Sequence, residues 1–185
     1  DLYIKLSADP FLTTQDLDNL FKNIKSMGIS SVRNIIIDDT VVDDINWGEG
    51  WMWDDVLSHF LPRYSAYNID HNLISITITP NDIGLPPVIS SNYPVKIVNQ
   101  AKSSDKHNLK LEAKPWLDSD KIYVSGDVAV KTTIKVPVNN PESLFTYRLN
   151  SIAKQNGVRI KGKVLKGKLS PNAVFLCEVG HDLID

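Results

Sequence analysis

Cysteine is almost absent from this sequence. The 185 residues include one cysteine, Cys177, so the chain cannot form an internal disulfide, and cysteine usage leaves the redox compartment open. Cys177 ends an apolar run over residues 173–177. In such a run a buried and unreactive thiol is the usual finding. We therefore expect the Cys177 thiol to be buried.

Long hydrophobic runs are also missing. No apolar stretch approaches the roughly 20 residues needed to span a bilayer. Residues 1–5 have neither the basic region nor the apolar run of a signal peptide, and they are typical of a strand. We expect neither a transmembrane segment nor a signal peptide in this chain, and we expect it to begin in the middle of a protein.

The sequence has no excess of charge of one sign. Twenty Lys and Arg oppose 22 Asp and Glu, which gives a formal net charge of -2. No overall field attracts nucleic acid or an anionic membrane, so nucleic acid is not an expected partner. With 42% apolar residues the chain can bury one core, or two unequal ones, which excludes disorder.

Two helices and several strands are predicted from the hydrophobic pattern. Thr13 and Asp16 have the spacing of a capping box, and Gly28 closes the helix that follows. A second helix is predicted from Pro141 to near Gly157. The apolar positions recur at helical spacing in both segments: Leu17, Leu20, Phe21 and Ile24 in the first, and Leu144, Phe145, Leu149 and Ile152 in the second.

Strands account for most of the remainder. A buried strand is predicted at residues 34–38, a further strand at 158–165, a half-buried strand at 73–79, and a short helix at 51–60. Between them, residues 81–138 contain only short β-like runs. The fold class is therefore predicted as α+β with α/β-like layers, a mixed sheet with covering helices and a small nested all-β subdomain. We predict a discontinuous larger domain over 1–80 and 139–185, with the small subdomain at 81–138.

Serine–lysine pairs are the first candidates for a nucleophile. Ser103 with Lys106 and Ser151 with Lys154 both fit S-x-x-K, in which lysine can accept the serine proton. A sequence of this composition is expected to contain one or two such pairs by chance. Residues 90–92 fit S-x-N, but residues 131–133 carry threonine in place of the glycine of K-T-G. We interpret all of these matches as fortuitous, so no catalytic residue is predicted.

The remaining candidates are metal ligands and aromatic residues that could contact a ligand. The four histidines are scattered without ligand spacing, and the acidic stretch 38–49 departs from an EF-hand, so we expect neither a metal nor another cofactor. Three tryptophans, Trp47, Trp51 and Trp53, lie within seven residues. Anchoring of the loop to the core is favoured for Trp51 and Trp53, whereas Trp47 is the expected exposed member and could stack on a ligand.

An ordered set of short motifs resembles the inserted region of class C low-molecular-mass penicillin-binding proteins, the D-alanyl-D-alanine carboxypeptidases and endopeptidases of the DacB type. Each motif is weak alone, but their order and spacing are specific. They comprise residues 1–3, Asp9 and Pro10 with Leu12, Gly28 and Ile29, residues 37–40, residues 50–55, Ser65 and Ala66 with Asn72, Pro141, Gly157 and residues 181–183.

The resemblance implies an enzyme whose catalytic domain is interrupted by an insertion. In this family S-x-x-K precedes a long insertion, whereas S-x-N and K-T-G follow it, and the catalytic domain has a penicilloyl-serine transferase fold. This chain resembles the insertion alone, with the catalytic domain and its three motifs absent, so by itself it is expected to be inactive. The intact protein would use a lysine-activated serine and would be acylated by β-lactams.

The resemblance also implies a place for substrate. Asp38 matches the acid that can meet the cationic end of the peptidoglycan stem peptide in family members, and Val42 stands where the family has phenylalanine. A carboxylate positioned by a rigid strand can select an ammonium group through a charge-assisted hydrogen bond. The candidates for substrate contact are Asp38, Asp39, Thr40 and Trp47.

The leading hypothesis is thus an accessory region of a periplasmic or extracytoplasmic serine-type D-Ala-D-Ala carboxypeptidase or endopeptidase. Its partners would be the peptidoglycan stem peptide, the missing catalytic domain and, in the intact protein only, β-lactams. A non-catalytic peptidoglycan-binding or protein-interaction module is the alternative. A complete hydrolase that uses Ser151 and Lys154 is less favoured, because no second acid, base or glycine-rich oxyanion element accompanies them.

Overall fold

The computed structural model describes residues 1–43, 48–113 and 121–181, with Trp53 and Asp54 described by their backbone only. The α-helices are α1 (Thr14–Ser26) and α2 (Pro141–Gln155). The strands, in chain order, are β1 (Leu2–Lys5), β2 (Ser31–Val32), β3 (Ile35–Asp38), β4 (Leu73–Thr79), β5 (Val88–Ser91), β6 (Lys96–Ser103), β7 (Asn108–Ala113), β8 (Lys121–Val128), β9 (Thr132–Pro137), β10 (Arg159–Ile160) and β11 (Val164–Lys166).

The described residues fall into two compact units. Unit 1 lies within Asp1–Trp47, Arg63–Asn72 and Asn140–Asp185, and unit 2 lies within Gly48–Pro62 and Leu73–Asn139. The predicted domain boundaries, with a subdomain at 81–138, stay a prediction, because compactness does not test whether a segment folds by itself.

A parallel sheet forms the centre of unit 1. Strand β3 lies between β1 and β11 and pairs with both in parallel, while β2 and β10 form a second parallel pair. Ile35 and Ile37 of β3 are buried. Since β3 precedes β11 by more than a hundred residues, two distant parts of the sequence share this sheet, as their similar patterns predict.

Helix α1 begins at the predicted capping box. The Thr13 side chain accepts a hydrogen bond from the Asp16 backbone, and the Asp16 carboxylate accepts one from the Thr13 N–H. These contacts satisfy two of the N–H groups that every helix start leaves unpaired. After the last turn Gly28 has a φ of +84°, a left-handed conformation that glycine adopts without strain.

Helix α2 presents its apolar stripe to the core of unit 1. Pro141 occupies the first turn, as predicted, and the Asn140 side chain accepts a hydrogen bond from the Ser143 N–H. The four predicted apolar positions are all buried. The two helices contact each other, and the Asn156 amide at the end of α2 donates to Asp18 of α1 at 2.7 Å.

Unit 2 consists mainly of strands. Strand β4 alternates between buried and half-buried residues, as its apolar and hydroxyl pattern predicts, and it pairs antiparallel with β5 and β9. In a second sheet the central strand β8 pairs in parallel with β6 and antiparallel with β7. Together with the helices and parallel sheet of unit 1, these sheets confirm the predicted α+β class.

Three local predictions differ from the structure. The strand predicted at 158–165 is two short strands, β10 and β11, separated at Gly162, which lies against the Asn34 side chain. The helix predicted at 51–60 is a 3₁₀ helix over Trp53–Leu57. Finally, Cys177 is half-buried and two of its apolar neighbours are largely exposed, because residues 173–177 lie outside any sheet of the described chain.

No α-helix in the described residues has both the length and the apolar character required to cross a membrane.

Candidate functional site

Charged side chains gather where the parallel strands of unit 1 end. Strands β1, β3 and β11 end at Lys5, Asp38 and Lys166, and parallel pairing brings these ends to the same edge of the sheet. The carboxyl ends of strands in open α/β sheets are the usual location of ligand sites. We define the strand-end cluster as Asp38, Asp39, Thr40, Tyr67, Glu142 and Lys166.

Asp38 is held by contacts within the chain. One carboxylate oxygen accepts hydrogen bonds from the Thr40 N–H at 3.2 Å and the Thr40 hydroxyl at 2.7 Å, and the other accepts from the Leu169 N–H at 2.7 Å. The Leu169 backbone bond, followed by the two bonds from Thr40, holds the pKa of Asp38 below its usual value. The side chain is therefore an oriented, ionised carboxylate at neutral pH.

Asp39 belongs to an ion-paired group that is centred on Lys166. Its carboxylate lies 3.1 Å from the Lys166 ammonium, which also lies 3.2 Å from Glu142 at the start of α2 and 5.3 Å from the centre of the Tyr67 ring. Burial alone would raise the pKa of Asp39, but hydrogen bonds with Lys166 and Tyr67 and the lysine charge lower it. Negative and positive groups thus lie side by side, which suits a zwitterionic ligand.

Of the other two candidates, Thr40 lies within the described residues and Trp47 does not. Thr40 is exposed, and its hydroxyl donates to Asp38, so both oxygen lone pairs of the hydroxyl stay available to accept. Trp47 lies outside the described residues. The structure thus brings Asp38, Asp39 and Thr40 together after β3, and their contact with substrate stays a prediction.

Sequence reasoning missed Lys166, Tyr67 and Glu142. Lys166 directly follows the predicted strand 158–165, so the rule that parallel strands end at one edge could have brought it near Asp38. Glu142 was a first-turn residue of a predicted helix. For Tyr67 no sequence signal existed, because its position beside Asp39 depends on packing between distant segments; its ring meets Phe145 of α2 edge to face, with centres 5.7 Å apart.

The two serine–lysine pairs occupy positions of another kind. Ser103 is buried at the end of β6, where its hydroxyl accepts a hydrogen bond from the Asn81 N–H at 2.8 Å, and Lys106 is exposed in the turn that follows. Ser151 and Lys154 are both exposed on α2. These placements are those of a structural hydroxyl and of a solvated helix face.

His181 pairs with an aspartate of the same unit. Its Nδ1 lies 2.7 Å from an Asp9 carboxylate oxygen, and this hydrogen bond raises the pKa of His181. Within residues 1–43, 48–113 and 121–181, no three His, Cys, Asp or Glu side chains converge in a way that could hold a metal ion.

The geometry defines an α+β protein that has an oriented, ionised cluster of side chains at the ends of its parallel strands. The sequence model of the D-Ala-D-Ala carboxypeptidase 3 (S13) family matches residues 1–180. The chain therefore belongs to that family, as its ordered motifs indicate.

Two curated relatives have similar sequences. The D-alanyl-D-alanine carboxypeptidase DacB of Haemophilus influenzae is 24% identical over 179 residues, which cover 89% of this chain and 36% of the relative. The D-alanyl-D-alanine carboxypeptidase of Actinomadura sp. (strain R39) is 24% identical over 180 residues, which cover 89% of this chain and 33% of the relative. The chain thus spans about a third of the length of the curated relatives it matches.

Solved structures share the fold. The crystal structure of penicillin binding protein 4 (dacB) from H. influenzae superposes with a TM-score of 0.72 at 22% identity, covering 89% of this chain and 38% of that one. The same protein in complex with a novel β-lactam superposes with a TM-score of 0.62 at 18% identity, covering 90% and 36%. These likenesses support the α+β assignment.

Proposed function

We propose that this chain is the accessory region of a serine-type D-Ala-D-Ala carboxypeptidase or endopeptidase that acts on peptidoglycan stem peptides outside the cytoplasm. The observation that carries the proposal is the family match over residues 1–180 in a chain that spans about a third of its curated relatives. Ser151 and Lys154 are both exposed on helix α2, which is not the placement expected of a nucleophile and its base, and this supports a nucleophile elsewhere in the parent protein.

In the parent protein the chemistry follows from an activated serine. Lysine accepts the serine proton, the hydroxyl oxygen attacks the carbonyl carbon of the scissile D-Ala-D-Ala bond, and the leaving amine takes up a proton as an acyl-enzyme ester forms. Water then hydrolyses the ester. A β-lactam follows the same first step, but its opened ring stays attached to the acyl group. The proposed role of the accessory region in these reaction steps is to contribute binding energy and to orient the substrate.

The strand-end cluster is the proposed contribution of this chain to substrate positioning. Asp38 supplies a fixed negative charge, Asp39 adds a second beside the Lys166 ammonium, and the exposed Thr40 hydroxyl can accept a hydrogen bond. A stem peptide that bears a free side-chain ammonium beside a carboxylate complements these charges. Trp47 is kept as a further contact candidate.

Acylation by a fluorescent penicillin tests the assignment of function. We expect the full-length product of the gene that encodes this chain to be labelled, and the 185-residue chain to stay unlabelled, because the chain resembles the inserted region alone and the S-x-x-K motif of the family precedes that region. Excess unlabelled penicillin and heat-denatured protein are the controls. Labelling of the 185-residue chain would refute a nucleophile elsewhere, and labelling of neither protein would favour the non-catalytic binding module.

Substitution of Asp38 in the full-length product tests the proposed contact. We expect Asp38→Asn to lower kcat/KM about 10- to 100-fold for a stem peptide with a free side-chain ammonium, since a hydrogen bond between charged groups contributes about 1.5–3 kcal/mol. For the same peptide acetylated on that amine, Asp38→Asn should leave kcat/KM unchanged, because the acetylated nitrogen carries no positive charge. Structural damage would lower both rates, so an equal loss with the two peptides contradicts a charge contact.

Asp82→Asn is the matched control for this experiment, since Asp82 is an exposed aspartate in unit 2. It should alter neither peptide's kcat/KM.

A further inference from the structure

Residues 173–179 form the most apolar segment that follows β11. The sequence runs Ala-Val-Phe-Leu-Cys-Glu-Val, with six apolar residues in seven. Near-continuous apolar runs of this length, rich in β-branched and aromatic residues, are typical of strands that are covered on both faces of a sheet.

The structure leaves part of this segment exposed, while Leu176, Cys177 and Val179 are half-buried. In the described part of the chain, residues 173–179 belong to no helix or strand. Val174 is 82% exposed and Phe175 is 72% exposed, whereas Phe145 in the core of the same unit is 1% exposed. Among the described residues, the one hydrogen bond between backbone groups that we find for the segment joins the Ala173 N–H to the Ser170 carbonyl.

Both flanks of the segment are tied to unit 1. Before it, the Leu169 N–H donates to the Asp38 carboxylate at 2.7 Å. After it, His181 is paired with Asp9, also at 2.7 Å. The apolar run is therefore held between two contacts with unit 1, and it presents the Val174 and Phe175 side chains on the surface of that unit.

We infer that residues 173–179 dock as an added strand on a sheet of the remaining part of the parent protein. This inference rests on the proposed function, in which this chain is part of a longer enzyme. The relatives have about twice as much sequence outside the matched region as within it, so that remainder is the occupant to which we commit. Strand addition would pair the backbone groups and cover Val174 and Phe175 together.

Cys177 fits this role better than a redox role. The side chain is half-buried, and burial raises the pKa of its thiol. A neutral thiol is a poor nucleophile and behaves as a small apolar group. The Cys177 thiol is thus suited to packing rather than to reaction.

Hydrogen exchange resolved to peptides tests the inference on unaltered protein. In the 185-residue chain, we expect the amides of residues 173–179 to exchange at nearly the rate of an unfolded peptide. In the full-length product, the same amides should exchange at least about a hundredfold more slowly, as expected for a strand within a sheet. The Phe175→Asp variant of the full-length product should lose this protection, whereas Ile83→Asp, at a residue 78% exposed in unit 2, should keep it.

Each outcome separates this inference from the proposed function. If the full-length product is acylated by penicillin but residues 173–179 exchange rapidly in it, the docking strand is refuted and the function stands. If the strand is protected but no acylation occurs, the function fails and the docking stands. If the 185-residue chain sediments as a dimer that Phe175→Asp dissociates, and the segment is protected in that dimer, then a second copy is the occupant and the inference is overturned.

Discussion

Phe145→Ala is expected to lower the free energy of unfolding of unit 1 by about 3–5 kcal/mol, the usual cost of emptying a core position of an aromatic ring. Phe145 is 1% exposed, and its ring contacts Tyr67 edge to face, with centres 5.7 Å apart. The variant therefore loses both apolar burial and an aromatic pair. A loss of this size is a large part of the 5–15 kcal/mol that is typical of a domain.

Urea unfolding of the 185-residue chain, followed by circular dichroism at 222 nm, is the measurement. Both α-helices of the described residues lie in unit 1, so the helical signal reports mainly on this unit. Phe175→Ala provides a matched control, because it removes the same ring from a position that is 72% exposed. We expect a change below about 0.5 kcal/mol for the control. Equal losses for the two variants would contradict the burial that separates them.

The same substitution bears on the strand-end cluster. Phe145 packs against Tyr67, and Tyr67 lies beneath the Lys166 ammonium, which pairs with Asp39. The core position and the candidate site are thus joined by two contacts. Since a site on the surface is only as well positioned as the packing beneath it, a cavity at Phe145 would loosen the geometry on which substrate positioning depends.

The features that could be predicted from sequence are those encoded locally. The capping box at Thr13, the apolar stripe that begins at Leu144 and the alternation of β4 each depend on residues within a few positions of one another. Hydrogen bonding at a helix start and burial of one face follow from such spacing in almost any fold. The structure confirms these elements for that reason.

The features that escaped prediction depend on distant contacts. The strand predicted at 158–165 is divided around Gly162, which lies against the side chain of Asn34, more than a hundred residues earlier in the sequence. The grouping of Lys166 with Asp39 depends on the register of β11 against β3. Cys177 was expected to be buried because it lies in the apolar run 173–177, but composition does not say whether the surface that covers a run lies within the chain or beyond it.

The candidate site was partly accessible to sequence reasoning. Asp38 was selected from an ordered set of motifs, and the structure adds that its carboxylate is oriented by Thr40 and Leu169. Lys166, the counter-ion of Asp39, was missed, because only the pairing of β11 with β3 brings it to this end of the sheet. Short motifs thus select single residues, whereas tertiary pairing determines which charges lie beside them.

Gly126→Ala is expected to destabilise the β6–β8–β7 sheet of unit 2 by about 3–5 kcal/mol, through backbone strain and lost strand pairing. Gly126 lies in the central strand β8, opposite Leu109 of β7, with a φ of +94°. A Cβ atom there would overlap the carbonyl oxygen of Asn108, which is backbone and cannot move aside as a flexible side chain does. The strands would have to separate, so several ladder hydrogen bonds would weaken together.

Gly84→Ala separates the two causes of this loss. Gly84 lies in unit 2 and also has a positive φ, +89°, but an added Cβ atom would meet nothing within 4 Å. The control variant therefore carries only the left-handed backbone cost, about 1–2 kcal/mol. In the 185-residue chain, Gly126→Ala should lower the protection of the β7 and β8 amides against hydrogen exchange far more than Gly84→Ala does. Equal effects would mean that backbone conformation alone, and not the close approach of β7 to β8, makes glycine necessary in this strand.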